Sequence, residues 1–201
     1  DCDPQFKWPS HVFEVILRLK TLERPHGDLF SYRSIETDVI AFCMERATGK
    51  RLPQLLSEEI WQKAGMEESA CMTVDPAGYA LADGGLNACL RDFARLGLLY
   101  LDNGGGIIPR GWIEATRNGN HAIFGEPYTQ TLPHGAYKNQ WWIEDAQSRS
   151  IMARGVFGQM IYVSWEHRMV VAKLSSWPDF INVPINVATL KALHSIAAHL
   201  K

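Results

Sequence analysis

The chain has 201 residues, 46% of them hydrophobic, and a formal net charge of -2 at pH 7. That is ordinary globular material, with enough apolar residues for one sizeable core or two small ones. It has no basic field and no Lys/Arg cluster interleaved with aromatics, which excludes nucleic acid as a partner. No apolar run approaches the ~20 residues of a membrane span, so no membrane partner is expected. The opening "DCDPQFKWPS" lacks an initiator Met, a basic start and an apolar signal core, so the natural start is expected upstream.

Taken in order, the first half reads as helical. "HVFEVILRLKTL" sets Val12, Phe13, Ile16, Leu17 and Leu19 near helical spacing. In "FSYRSIET", Tyr32 and Ser34 occupy a polar turn that runs into "SIETDVIAFCMERATGK". Ser34 is the expected N-cap there, with Glu36 and Asp38 in the first turn and Gly49 at the left-handed stop. "LPQLLSEEIWQKAG" opens on Pro53, a permitted first-turn position, and stops at Gly65. "LNACLRDFARLGLLYLDNGGG" repeats Leu86, Leu90, Phe93, Ala94, Leu98 and Leu101 as an amphipathic stripe. A short helix from Pro109 to Thr116 follows. Cys43 and Cys89 fall on apolar helix faces; with Cys2 and Cys71 they form no Cys-x-x-Cys, and all four read as reduced core residues.

The pattern then switches. Residues 118–138 are rich in Gly, Pro and Tyr without a period, the mark of a functional or mobile loop. "NQWWIED", "GQMIYVSW" and "RMVVAKLSS" read as strands, with "SRSIMAR" a candidate fourth. The polar connectors "EDAQSRS" and "WEHR" read as hairpin turns, so the sheet is expected to be antiparallel. A closing helix, Pro184 to Leu200, offers Val187, Leu190, Leu193 and Ala197 to one sheet face. The class is α+β. Its expected parts are a helical region over 1–117 carrying the Tyr-x-Ser loop, a rim loop over 118–138, and strands plus a terminal helix over 139–201. So few apolar strands would leave a long open edge, and strands encoded before residue 1 are expected to complete it.

No serine has a lysine three residues on, and G-x-S-x-G is absent. His194 and His199 lie five apart and share no helix face, and neither H-E-x-x-H nor paired Cys motifs occur, so no metal or cofactor is expected. "NGGG", 103–106, follows a helix and reads as a cap and turn. There remain Tyr32, Ser34 and the glycine pair of "ARGVFGQ", residues 153–159. Residues two apart in an extended turn point the same way, which would turn both hydroxyls to one cavity. A tyrosine acts as a base only when a cation lowers its pKa from about 10. No lysine is near in sequence, so on these residues alone the structural reading of Tyr32 is the stronger. Gly155 and Gly158 imply a bulge or a close approach of backbone to a ligand, packing alone being the commoner reason.

"FSYRSIETDVIAFCMERATGKRLPQLLSEEIWQKAGM", "GGLNACLRDFARLGLLYLDNGG" and "ARGVFGQMIYVSWEHRMVVAKLSS", in that order and spacing, resemble the beta-lactamase-related serine hydrolases. Within them the resemblance is to the class C and 6-aminohexanoate-dimer hydrolase branch, from about residue 12 to the end. It implies the C-terminal part of a beta-lactamase/transpeptidase-like fold, with the Ser-x-x-Lys nucleophile supplied by an N-terminal segment or a companion chain. It implies that Tyr32-Arg33-Ser34 stands for the family's Tyr-x-Asn, with Tyr32 as proton shuttle and Ser34 beside it. The family's Lys-Thr-Gly or His-x-Gly falls on Ala153-Arg154-Gly155, where only Gly155 matches, and Val156 N–H is the implied oxyanion donor. Trp142 is the implied substrate-facing aromatic, two stacked core tryptophans being the other reading. Arg154, Asp83 and Asp179 are further substrate-binding candidates.

The implied reaction is acyl transfer on a small-molecule amide or ester without a cofactor. A small apolar Ala153 in place of Lys or His suits a neutral or linear amide or ester better than a β-lactam. The competing reading is a non-catalytic ligand- or peptide-binding relative. The compartment, bacterial cytoplasm or periplasm, is left open.

Overall fold

The computed structural model describes residues 9–147 and 150–200. They form two compact units, and the break expected at residue 117 falls inside the second of them.

The first unit comprises residues 9–25, Tyr32–Lys63 and Ser69–Ala88. Its helices are α1 (Val12–Arg18), α2 (Ile35–Thr48) and α3 (Leu52–Leu56), the last running on into a π turn over Ser57–Trp61. α2 ends as its sequence dictates: Gly49 takes φ 70° and donates to Glu45 O at 2.9 Å. Phe13 packs between Phe42 and Tyr79, each 4.2 Å away between ring centres. Of the five apolar residues expected on the first helix, only Val12 and Phe13 are buried, while Leu17 and Leu19 stay exposed. Leu86 and Asn87 are not helical. They form β2 (Leu86–Asn87) against β1 (Cys71–Met72), a two-residue ribbon too short for alternation to reveal.

The second unit comprises His26–Ser31, Ala64–Glu68 and residues 89–200. It holds α4 (Leu90–Leu101), α5 (Arg110–Thr116), the strands β3 (Ala136–Lys138), β4 (Trp141–Ile143), β5 (Ile151–Arg154), β6 (Met160–Ser164) and β7 (Met169–Lys173), and α6 (Val183–His199). The five strands form one antiparallel meander in chain order. The α+β expectation and the terminal helix thus hold, with β3 added from the end of the presumed loop. That loop is packed: Phe124 and Leu132 are buried to within 1% of their surface, worth about 1.5–3 kcal/mol each.

Period-two alternation sorts the sheet residues onto two faces. Ile143, Ile151, Ile161 and Val163 face α4, joined by Trp141 and Tyr100, whose rings are 4.4 Å apart. Met152, Met160 and Tyr162 pack with Leu190, Leu193 and Ala197 of α6. α6 begins where Asn182 accepts from Ile185 N–H at 3.0 Å, with Pro184 in its first turn. It is pinned midway: Glu144 accepts from Tyr162 Oη at 2.6 Å and from His194 Nε2 at 2.7 Å.

The stripe expected on α4 holds in part: Leu101 is buried and Phe93 packs against the core, but Leu90 and Leu98 are each 45% exposed, and the helix also buries Gly97 and Tyr100. Gly97 lets the helix lie against β6 and β7, where a Cβ would stand 2.5 Å from Val170 Cγ1. The core expectation for the cysteines is also corrected. Cys43 and Cys71 are exposed and Cys89 is half-buried, all three as free thiols; Cys2 lies outside the described residues.

Candidate active site

In the first unit, Tyr32 is 41% exposed. Ser34 stands at the N-cap position of α2, yet its angles (φ -54°, ψ -43°) are already helical and its hydroxyl makes no capping bond. The extended-turn geometry that would set the two hydroxyls side by side therefore does not apply at Ser34. What anchors this end of α2 is Asp38, which the sequence offered only as a first-turn acid. Its buried carboxylate accepts from Ala82 N–H at 2.9 Å and so fixes the turn that presents the exposed Asp83. Burial, and then the nearby charge of Asp83, push the Asp38 carboxyl above its ordinary range. Gly85 closes the turn, since a Cβ there would meet Leu81 O at 2.5 Å.

In the second unit, β5 ends at Arg154 and Gly155, and the chain makes a tight 3-10 turn over Val156–Gly158 before β6. Gly155 N–H donates to Gln159 O at 2.9 Å, which closes the turn. Val156 N–H donates to no acceptor among the described residues, and Val156 is 44% exposed. Ala153 packs with the α4-side core. Arg154, one residue on, takes the other face, in register with Met160 of β6 and through it with Lys173 of β7.

There the Arg154 guanidinium lies 5.1 Å from the centre of the Trp142 ring. The two strand tryptophans divide as alternation requires: Trp141 is buried against Tyr100, and Trp142 joins the opposite face. Trp142 belongs to an aromatic wall with Phe30, Phe124, Tyr128 and Tyr137, at centroid distances of 5.1 to 6.2 Å. Phe30, just before the Tyr32 turn in sequence, is thus a wall residue that its own segment gave no sign of. Burial lowers the pKa of Arg154, and no carboxylate lies within ion-pair distance of it among the described residues. Asp179 is exposed and accepts from Asn182 Nδ2 at 2.9 Å, beside the cap of α6.

Each unit thus offers chemistry of its own. The first presents a phenol and a hydroxyl at a helix start, and the second a backbone N–H with no acceptor among the described residues, together with a cation and an aromatic wall. A family model described as Beta-lactamase matches residues 11–194. The chain is 36% identical over 177 residues to a 6-aminohexanoate-dimer hydrolase of Paenarthrobacter ureafaciens, covering 85% of this chain and 45% of that enzyme. A D-aminopeptidase of Cereibacter sphaeroides is 29% identical over 119 residues, 55% of this chain and 23% of its own length. A solved structure from Bacillus anthracis, assigned to the 6-aminohexanoate-dimer hydrolases, superposes with a TM-score of 0.85 at 31% identity, covering 98% of this chain and 51% of that one. The chain therefore spans about half the length, or less, of these three relatives.

Proposed function

The chain belongs to the beta-lactamase family, and from that membership we propose that it is part of a serine hydrolase cleaving linear amide or ester bonds through an acyl-enzyme. The nucleophilic serine comes from an N-terminal segment or a companion chain. Its oxygen attacks the substrate carbonyl, the amine or alcohol leaves with a proton, and water then releases the acid. Tyr32 carries the proton from nucleophile to leaving group, with Ser34 orienting it or the substrate. Val156 N–H donates to the developing oxyanion, an interaction worth about 3 kcal/mol of barrier when preorganised. Asp83 and Asp179 are assigned to substrate binding at the rim.

The observation that supports this reading most is the turn after Gly155, whose Val156 N–H has no acceptor among the described residues. The names of the relatives point to amide hydrolysis as well. The expectation of a neutral substrate is revised. Ala153 faces the core, and the cation beside Trp142 is Arg154, half-buried and without an acid partner among the described residues. A guanidinium in that setting suits a substrate carboxylate, which it holds in bidentate fashion.

The test is a parallel assay of the full-length protein on neutral p-nitrophenyl acyl esters, a linear 6-aminohexanoate dimer and nitrocefin. The expected order places both linear substrates above nitrocefin in kcat/KM. Arg154→Met should raise KM for the carboxylate-bearing dimer about 10-fold or more, the worth of a charged hydrogen bond, and leave the neutral esters nearly unchanged. A preference for nitrocefin would overturn the substrate class. Tight binding without turnover of any substrate would establish the binding-module reading instead.

A further inference from the structure

Residues 174–180, after β7, enter the scheme above only through Asp179, yet they form a strap along the Val156–Gly158 turn. Phe157 sits in the turn at φ 55° and ψ 22°, a left-handed conformation that residues with side chains rarely adopt. Bonds from the strap hold it there. Phe157 N–H donates to Phe180 O at 3.1 Å, and Phe157 O accepts from Trp177 N–H at 3.1 Å. The Gln159 side chain grips the strap from the other end: its Nε2 donates to Ser175 O at 2.6 Å and its Oε1 accepts from Ser175 N–H at 2.9 Å.

Lys173, the last residue of β7, joins these pieces. Its Nζ donates to Gly158 O at 2.8 Å and to Ser175 Oγ, and lies 4.7 Å from the centre of the Trp177 ring. That ring covers Gly158 so closely that a Cβ there would stand 2.3 Å from Trp177 Cε2. An ammonium has three donors and no acceptor; here a carbonyl, a hydroxyl and a ring face receive it, and no carboxylate does so among the described residues. Such a cation serves the loop it binds rather than surface charge balance.

We infer that Lys173 is a positioning residue: it ties the strap 174–180 to the Gly155–Gly158 turn and so aims Val156 N–H at the oxyanion. The inference rests on the oxyanion role proposed for Val156. Without the ammonium, Gly158 O and Ser175 Oγ lose their shared donor and the left-handed turn loses one of its restraints. A displacement of about 1 Å at such a donor costs on the order of 10²-fold in rate.

The experiment compares full-length wild type, Lys173→Met and Lys173→Arg on a p-nitrophenyl ester, with active sites titrated by an activated phosphonate. The Val156 amide is followed in ¹⁵N-valine-labelled protein before and after phosphonylation. Lys173→Met should lower kcat per titrated site about 10²-fold while KM moves less than about 2-fold, and Lys173→Arg should recover most of the loss. The Val156 amide should move on adduct formation in wild type and much less in Lys173→Met. If Lys173→Met does not fold, Lys173→Gln, which keeps an amide donor on a shorter, uncharged side chain, must show a kcat loss of at least about 10-fold. Wild-type kcat per site in the variants, with the Val156 response intact, overturns the positioning role and leaves the oxyanion reading standing. A Val156 amide indifferent to the adduct in wild type overturns the oxyanion reading itself.

Discussion

Tyr32 keeps 41% of its surface accessible, so replacing it by phenylalanine removes a hydroxyl without opening a hole. Surface changes of that kind leave stability within about 0.5 kcal/mol, whereas loss of a general base costs roughly 10²-fold or more in kcat. Tyr32→Phe in the full-length protein is therefore expected to keep its melting temperature and lose turnover. Steady-state kinetics beside a thermal melt would check this, and a variant with wild-type kcat returns Tyr32 to a structural role. At this scale the sequence exposed backbone features better than side-chain company. Gly155 stands out in any strand pattern, but that Arg154 lies over Trp142 and Ala153 does not became legible only once the sheet faces were assigned.

α4 illustrates the next scale. Its period was plain in the sequence, and Phe93 and Leu101 pack as expected, yet Leu90 and Leu98 of the same stripe stay exposed, because a glycine that no hydrophobic pattern marks lies at the contact. Gly97→Ala sets two effects against each other. Alanine gains about 1 kcal/mol of helix propensity over glycine, while forcing a methyl into a filled core costs about 1–3 kcal/mol. The group it meets, Val170 Cγ1 at 2.5 Å, belongs to a β-branched side chain with little freedom to turn away. Overpacking should win, and urea denaturation should show the variant to be the less stable by up to about 2 kcal/mol. A gain in stability would mean that α4 can shift on the sheet.

At the scale of the whole molecule, the carboxylates predict acid lability. Ser10 N–H, and then Arg18, hold Glu14 at about 2, and Arg95 holds Glu67 below its ordinary range. Burial alone would raise Asp75 and Asp92. Amides of Val12, Tyr79 and Ala77 outweigh it around Asp75, and the Glu67 and Glu68 amides with the Cys89 thiol and Arg95 do so around Asp92. A depressed folded pKa means that the native state binds fewer protons than the unfolded one. The stability it contributes is present above the unfolded value of about 4 and is lost as pH falls through the folded value. Asp38, raised, acts in the opposite sense, its contribution fading as pH rises through its folded pKa. Glu58, lowered by its bonds from Lys50 and Gln54, adds a fifth depressed group, and five against one set the balance. The melting temperature should decline below about pH 4, and Asp92→Asn should lower it at pH 7 by a margin that narrows toward pH 3. A margin constant across thermal melts from pH 3 to 7 would remove Asp92 from the set.

The sequence by itself determined what depends on neighbours within a turn or two: the stop at Gly49, the closing helix with Pro184 in its first turn, the sheet's meander, and the segments that mark the beta-lactamase family. Periodicity reports how a segment is patterned against itself, and caps and turns close over a few residues, so these features need no knowledge of the rest of the chain. The tertiary structure alone decided the pairing of Leu86–Asn87 with Cys71–Met72, the contact of α4 through Gly97, the wall that gathers Phe30 to Trp142, and the clasp of Lys173 on Gly158 and Ser175. Each of these depends on which face or segment the chain path delivers as a partner, and local pattern does not encode the path.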